Sequence, residues 1–307
     1  MGMVGTLIYK IAQLFTIMLI GFLLTKWGLI KSQDSTILSK LSLYLLMPCS
    51  IINAFDFQMT PDIRNGLILA FAAAFIIHLV FFILDFVYKK AVSKSSVERA
   101  SIMYTNAGNL VIPIVSFVLG EEWVLYTAAY LSAQMIFMWT HCIGLFSDQK
   151  FNIKKIIFNV NIIVIFIGFA LMLSGLRLPE FVKGVTTSFS SMMGTIGMLI
   201  AGIMAANIDY KKILPNKRIY LVAVFRMIVW PVIMLVIVKL LALFPVVNAD
   251  KVLLVPFLAS IAPSAATIMQ FGQLYKKDPD FAVGINLVTT LSCIVTMPIF
   301  VALFNLI

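Results

Sequence analysis

Charge is what this sequence has least of. Only 12% of its 307 residues are Asp, Glu, Lys or Arg, while 62% are apolar. Soluble domains carry about 25% charged and roughly 45–50% apolar residues. So small a polar complement cannot coat a water-soluble globule, and it excludes intrinsic disorder, a disulfide scaffold and a nucleic-acid partner with it. The three cysteines, Cys49, Cys142 and Cys293, lie inside apolar runs without metal-ligand spacing, and read as small buried hydrophobes. A phosphate-cradling Walker loop is missing, which excludes an ATP-driven pump within this chain. Paired intramembrane aspartates, an HExxH zinc motif and a Gly-x-Ser-x-Gly nucleophile are missing too, so an intramembrane enzyme has no chemistry to run on. Neither a cofactor nor a metal site is predicted.

What is present is hydrocarbon-compatible sequence in long runs. A spanning helix needs about 20 mostly apolar residues. Ten runs follow one another, at 5–25, 36–55, 65–88, 99–118, 123–146, 156–175, 185–206, 218–244, 252–273 and 281–305. The connections are too short for a soluble catalytic domain. Those after the odd-numbered runs hold fifteen Lys and Arg, from Lys26 to Lys277; the others hold four, Arg64, Arg177, Lys183 and Lys251. By the positive-inside rule the odd-numbered connections face the cytoplasm of a cell membrane, and both termini face outward.

The chain also repeats itself. Ile20-Gly21-Phe22 followed by Gly28-Leu29 recurs as Ile167-Gly168-Phe169 followed by Gly175-Leu176, 147 residues on (167 − 20). The fourth run is interrupted at Asn109–Pro113 and the ninth at Pro263. An odd number of spans per repeat inverts the second copy, so two homologous halves, 1–150 and 151–307, are expected as an inverted five-plus-five pair.

The interruptions carry the functional signal. Tyr104-Thr105-Asn106-Ala107-Gly108-Asn109-Leu110-Val111-Ile112-Pro113 puts two amides, a glycine and a proline inside a span. Ser260-Ile261-Ala262-Pro263-Ser264-Ala265-Ala266-Thr267 repeats the device with small and hydroxyl residues. Unwound backbone persists at membrane depth only where it is buried in protein or lines a wet cavity. Paired breaks in two halves are the best sequence pointer to a transport site. Half-helix N-termini there favour an anion, and Asn106, Gly108, Asn109, Pro113, Pro263, Ser264 and Thr267 are the candidate substrate-binding residues. Arg226, deep in the eighth run, joins them; it pairs either with an anionic substrate or with helix-end carbonyls. His78 and His141 read as helix–helix hydrogen-bond partners. Asp85, Lys239 and Lys10 are expected to snorkel from span ends.

These residues resemble the auxin efflux carrier family, which includes plant auxin exporters and many bacterial permeases. Asn106 through Pro113 is similar to that family's fourth-helix crossover and Ala262-Pro263-Ser264 to its ninth. Phe271–Tyr275, Asp278-Pro279, Pro298, Leu46-Met47-Pro48 and Arg226 with Pro231 fit as well, and the likeness covers essentially the whole chain. It implies an all-α membrane protein of ten helices in two inverted repeats. Helices 1, 2, 6 and 7 would form a scaffold, and 3–5 and 8–10 a transport domain. Helices 4 and 9 would cross, as in sodium/proton antiporter and bile-acid symporter folds. Function would be elevator-type alternating access for a small organic anion, a malate- or malonate-like carboxylate or an auxin-like acid. The likeness leaves proton or sodium coupling and a homodimer open. Where plant members carry a long cytosolic loop, this sequence has the short basic Ser147–Lys155. The alternative is a membrane sensor or interaction protein that keeps the carrier fold without transporting.

Overall fold

The computed structural model describes residues 3–31, 33–56, 60–146, 158 and 160–307, so the whole of the basic connection Ser147–Lys155 lies outside the described residues. The described residues form an all-helical bundle whose only β-type contact is an isolated bridge between Thr105 and Ser264. Among the described residues, six helices are long and apolar enough to cross a membrane: α1 (Met3–Lys26), α2 (Asp34–Ala54), α3 (Pro61–Ala91), α8 (Glu180–Ala206), α9 (Lys217–Leu241) and α12 (Pro279–Leu306). The fourth run is cut into α4 (Ser96–Met103) and α5 (Ala107–Val118). The fifth is one helical path, α6 (124–146), and the sixth is the 15-residue α7 (Val160–Ser174). The ninth is cut into α10 (Ala249–Ile261) and α11 (Ala266–Leu274).

Local sequence explains the helix ends. Thr60 Oγ1 accepts from the Ile63 amide at 3.3 Å, with Pro61 in the first turn of α3 and Lys89 and Lys90 in its last, the arrangement that satisfies orphan donors and complements the helix dipole. Ser95 Oγ accepts from the Glu98 amide at the start of α4, an N-cap. Gly28 and Gly175, the repeated glycines, both adopt left-handed φ (78° and 69°) just beyond the ends of α1 and α7, a conformation open to glycine at little steric cost.

Prolines widen the helices. Wide π-turns at Ser42–Leu46, Ala107–Val111 and Phe225–Val229 each end two residues before a proline: Pro48, Pro113 and Pro231. A proline ring clashes with the carbonyl four residues back and offers it no donor, and a π-bulge is one way for a helix to accommodate the disruption.

In packing, α1 lies along α8, α2 against α7 and α8, and α3 against α6 and α10, while α9 contacts α10 and α12. The α1–α8 contact is backbone to backbone. A Cβ at Gly21 would come within 2.6 Å of the Leu199 carbonyl oxygen, and one at Gly202 would overlap the Met18 carbonyl. Small residues give membrane helices this close approach. Gly202→Val is therefore expected to separate α1 from α8 and cost about 1–3 kcal/mol, read as a lowered melting midpoint in detergent; Gly184→Ala, where a Cβ meets nothing within 4 Å, should melt like the parent.

Candidate functional site: the crossing of two broken helices

At Tyr104 the chain leaves α4 for an extended conformation (φ −97°, ψ 130°), and at Ala262 it leaves α10 the same way (φ −63°, ψ 156°). The two extended segments meet antiparallel. The Asn106 amide donates to the Pro263 carbonyl at 2.8 Å, and the Ala265 amide donates to the Tyr104 carbonyl at 2.9 Å. Each break thus supplies backbone partners for the other, which answers the demand that hydrocarbon places on unwound peptide.

Side chains complete the pairing. Gln134 of α6 grips Thr105: its Oε1 accepts from the Thr105 amide (3.1 Å) and hydroxyl (2.8 Å), and its Nε2 donates to the Thr105 carbonyl (2.9 Å). On the other break, Asn286 Nδ2 of α12 donates to the Ser264 carbonyl at 2.7 Å, and Thr289 Oγ1 accepts from the Ser264 amide at 3.3 Å. The sequence reading did not single out Gln134 or Asn286. Their signal was present as amides inside the fifth and tenth apolar runs.

Of the candidate residues, Asn106, Asn109, Pro263 and Ser264 come together here. Asn109 Nδ2 donates to Asn106 Oδ1 at 3.2 Å, and Ser42 Oγ donates to Asn109 Oδ1 at 3.3 Å. The Asn106 Nδ2 donors have no partner among the described residues. Gly108 lies against Met47 and Met193, and Pro113 against Gly194; Gly197 faces Asn109 so closely that a Cβ would sit 2.7 Å from it. Thr267, one residue into α11, is half-buried and makes no hydrogen bond among the described residues.

Arg226 resolves the choice left open above in favour of carbonyls. It is fully buried at 0% exposure. Its Nε donates to the Ala262 carbonyl (2.9 Å), Nη1 to Ile102 (3.1 Å), and Nη2 to Ser260 and Ala262 (2.5 Å each). No described carboxylate pairs with it. The guanidinium therefore sits on the C-terminal ends of α4 and α10, where helix dipoles place negative charge, and holds both halves to α9.

Ion pairs close one end of the bundle. Asp85 does not snorkel: it is buried and bidentate to Arg99 at 2.8 and 2.5 Å, with His141 Nε2 3.7 Å away. Buried Glu98 accepts from Arg218 at 2.9 and 2.5 Å and from the Tyr88 hydroxyl at 2.9 Å. His141 bonds between helices, to Tyr104 at 3.0 Å, whereas His78 bonds within its own helix, to the Ala74 carbonyl at 2.7 Å.

The opposite end is open. A cavity of about 890 Å³ descends among α1, α2, α3, α5 and α8 to Ile112 and Pro113. A second, of about 470 Å³, shares Lys10, Pro113 and Ser191 with it. At the rim, Asp56 binds Arg177 (2.9 Å) and Lys183 (2.7 Å). Burial alone would raise its carboxyl pKa, but Lys183, the Leu178 amide and Arg177 together hold it below the ordinary aspartate value.

No curated protein matches the chain. A family model described as membrane transport protein matches residues 6–301, spanning both breaks and every helix that packs around their crossing. Its members are transporters rather than enzymes, and the chain belongs to this family, the auxin efflux carriers.

Proposed function

We propose that the protein carries a small organic anion, a malate- or malonate-like carboxylate or an auxin-like acid, by elevator-type alternating access. In this reading ten helices cross the cell membrane as two inverted repeats, 1–150 and 151–307, with both termini outward. The scaffold is α1, α2, α7 and α8; the moving unit is α3–α6 with α9–α12. The pairings α1–α8, α2–α7 and α2–α8 on one side, and α3–α6, α3–α10 and α9–α12 on the other, support that division. So does the boundary between them, where Asn109 and Pro113 face Gly197 and Gly194 of α8 with little side-chain interlock.

The observation that carries the anion reading is the charge balance at the crossing. Each helix end bears about half an elementary charge. Arg226 offsets the two C-terminal ends, of α4 and α10. The N-terminal ends of α5 and α11 remain, about one positive charge in sum. Beside them the free Asn106 Nδ2 donors suit a carboxylate oxygen. Substrate enters by the open cavity to Pro113, four residues along α5 from Asn109, or about 6 Å at the helical rise.

The test is uptake of labelled mono- and dicarboxylates into proteoliposomes, with and without a sodium or proton gradient. Asn106→Ala and Asn109→Ala are each expected to lower uptake about tenfold or more, the size of a lost hydrogen bond to a charged group, with folding retained by size exclusion. Unchanged uptake in both variants would remove the asparagines from the site. Carboxylate binding without any flux in the parent would mean a sensor with a carrier fold.

A further inference from the structure

Lys10 was expected to snorkel to the membrane surface, yet its amine lies along a cavity inside the bundle. It sits in the second turn of the apolar span Gly5–Lys26 and is half-buried. A cation within a span is costly unless it finds a partner or water. Both cavities are lined by Lys10, and both reach Pro113 beside it.

What distinguishes Lys10 from the other cations nearby is its lack of a carboxylate. Lys183, the second lysine of the large cavity, is 2.7 Å from Asp56, which also takes Arg177. Among the described residues no carboxylate pairs with Lys10. Its Nζ instead rests 4.7 Å above the ring of Phe117 on α5, a cation–π contact that an arriving carboxylate can outbid. The acidic groups of the cavity lie elsewhere, in connections or first helical turns at the rim. Asp56 is matched twice, Glu121 accepts from the Ser116 hydroxyl, Glu122 folds back over Gly120, and Asp62 opens α3.

We infer that Lys10 is the cationic contact for a carboxylate group of the substrate, holding it at the cavity floor beside Pro113 before it reaches the crossing. This rests on the carrier reading above and adds to it the residue that selects for negative charge. Because α1 belongs to the proposed scaffold and Phe117 to the moving unit, the amine would trade its ring contact for the substrate at the boundary that slides.

Equilibrium binding of malonate to purified protein tests it, with Lys10→Gln and Lys10→Arg beside the parent and melting midpoints measured for all three. Lys10→Gln is expected to weaken binding about ten- to hundredfold, the size of one charge-assisted contact, and Lys10→Arg to stay within a few-fold, with melting unchanged. Equal affinity in Lys10→Gln would overturn the assignment while leaving the carrier reading intact. If the parent binds neither malonate nor a monocarboxylate such as indole-3-acetate, the carboxylate reading falls, and Lys10's role with it. Should Lys10→Gln not fold, acylation of the parent by an amine reagent decides: malonate should slow labelling of Lys10, read by peptide mass, and unslowed labelling would refute the contact.

Discussion

Replacing Arg226 with methionine is expected to remove the folded protein. The guanidinium makes four hydrogen bonds to three carbonyls, those of Ile102, Ser260 and Ala262. Each loses a partner in surroundings from which water is excluded, at about 1–3 kcal/mol per unsatisfied group. The sum is a large share of the roughly 5–15 kcal/mol that holds a typical domain together. Methionine fills similar volume, so the loss is electrostatic rather than a cavity. Arg226→Lys keeps the charge but cannot span two helix ends with one ammonium, and should fall between parent and Arg226→Met. Fluorescence-detected size exclusion after heating ranks the three; an Arg226→Met variant that melts with the parent would show that the crossing stands without it.

The second large effect is at Asp85. Asp85→Asn leaves Arg99, itself buried, without its carboxylate, and breaking a buried pair from one side costs about 3–5 kcal/mol. Removing both charges is a different matter, since a buried pair replaced by apolar residues is often neutral. The double variant Asp85→Leu with Arg99→Leu should therefore melt closer to the parent than Asp85→Asn does. The opposite order would mean that the pair contributes through more than mutual neutralisation, with His141 and Tyr104 as the first partners to examine.

Several of these features were readable from the chain alone. Glycine, asparagine and proline inside apolar runs announced the breaks, because few other residue types tolerate or cause unwinding there. Gly28 and Gly175 both take the left-handed conformation just past a helix end that their residue type permits. Asp85 was misread because its partner, Arg99, lies on the next helix, beyond a connection. A carboxylate near a span end normally reaches for water, and only the returning chain offers it a guanidinium instead. The fourth and ninth runs are each cut in two for a related reason: they satisfy their backbone through each other rather than along their own axes.

By itself, then, the sequence determined the membrane environment and the places where helices must stop, since hydrocarbon solubility and backbone propensity act within a few residues. The tertiary structure decided what meets at those stops. Asn106 finds Pro263, and Arg226 finds Ile102 and Ala262. Unpaired peptide groups and buried charge must be satisfied at membrane depth, but the groups that satisfy them lie more than a hundred residues away in several cases, where no local pattern can point to them.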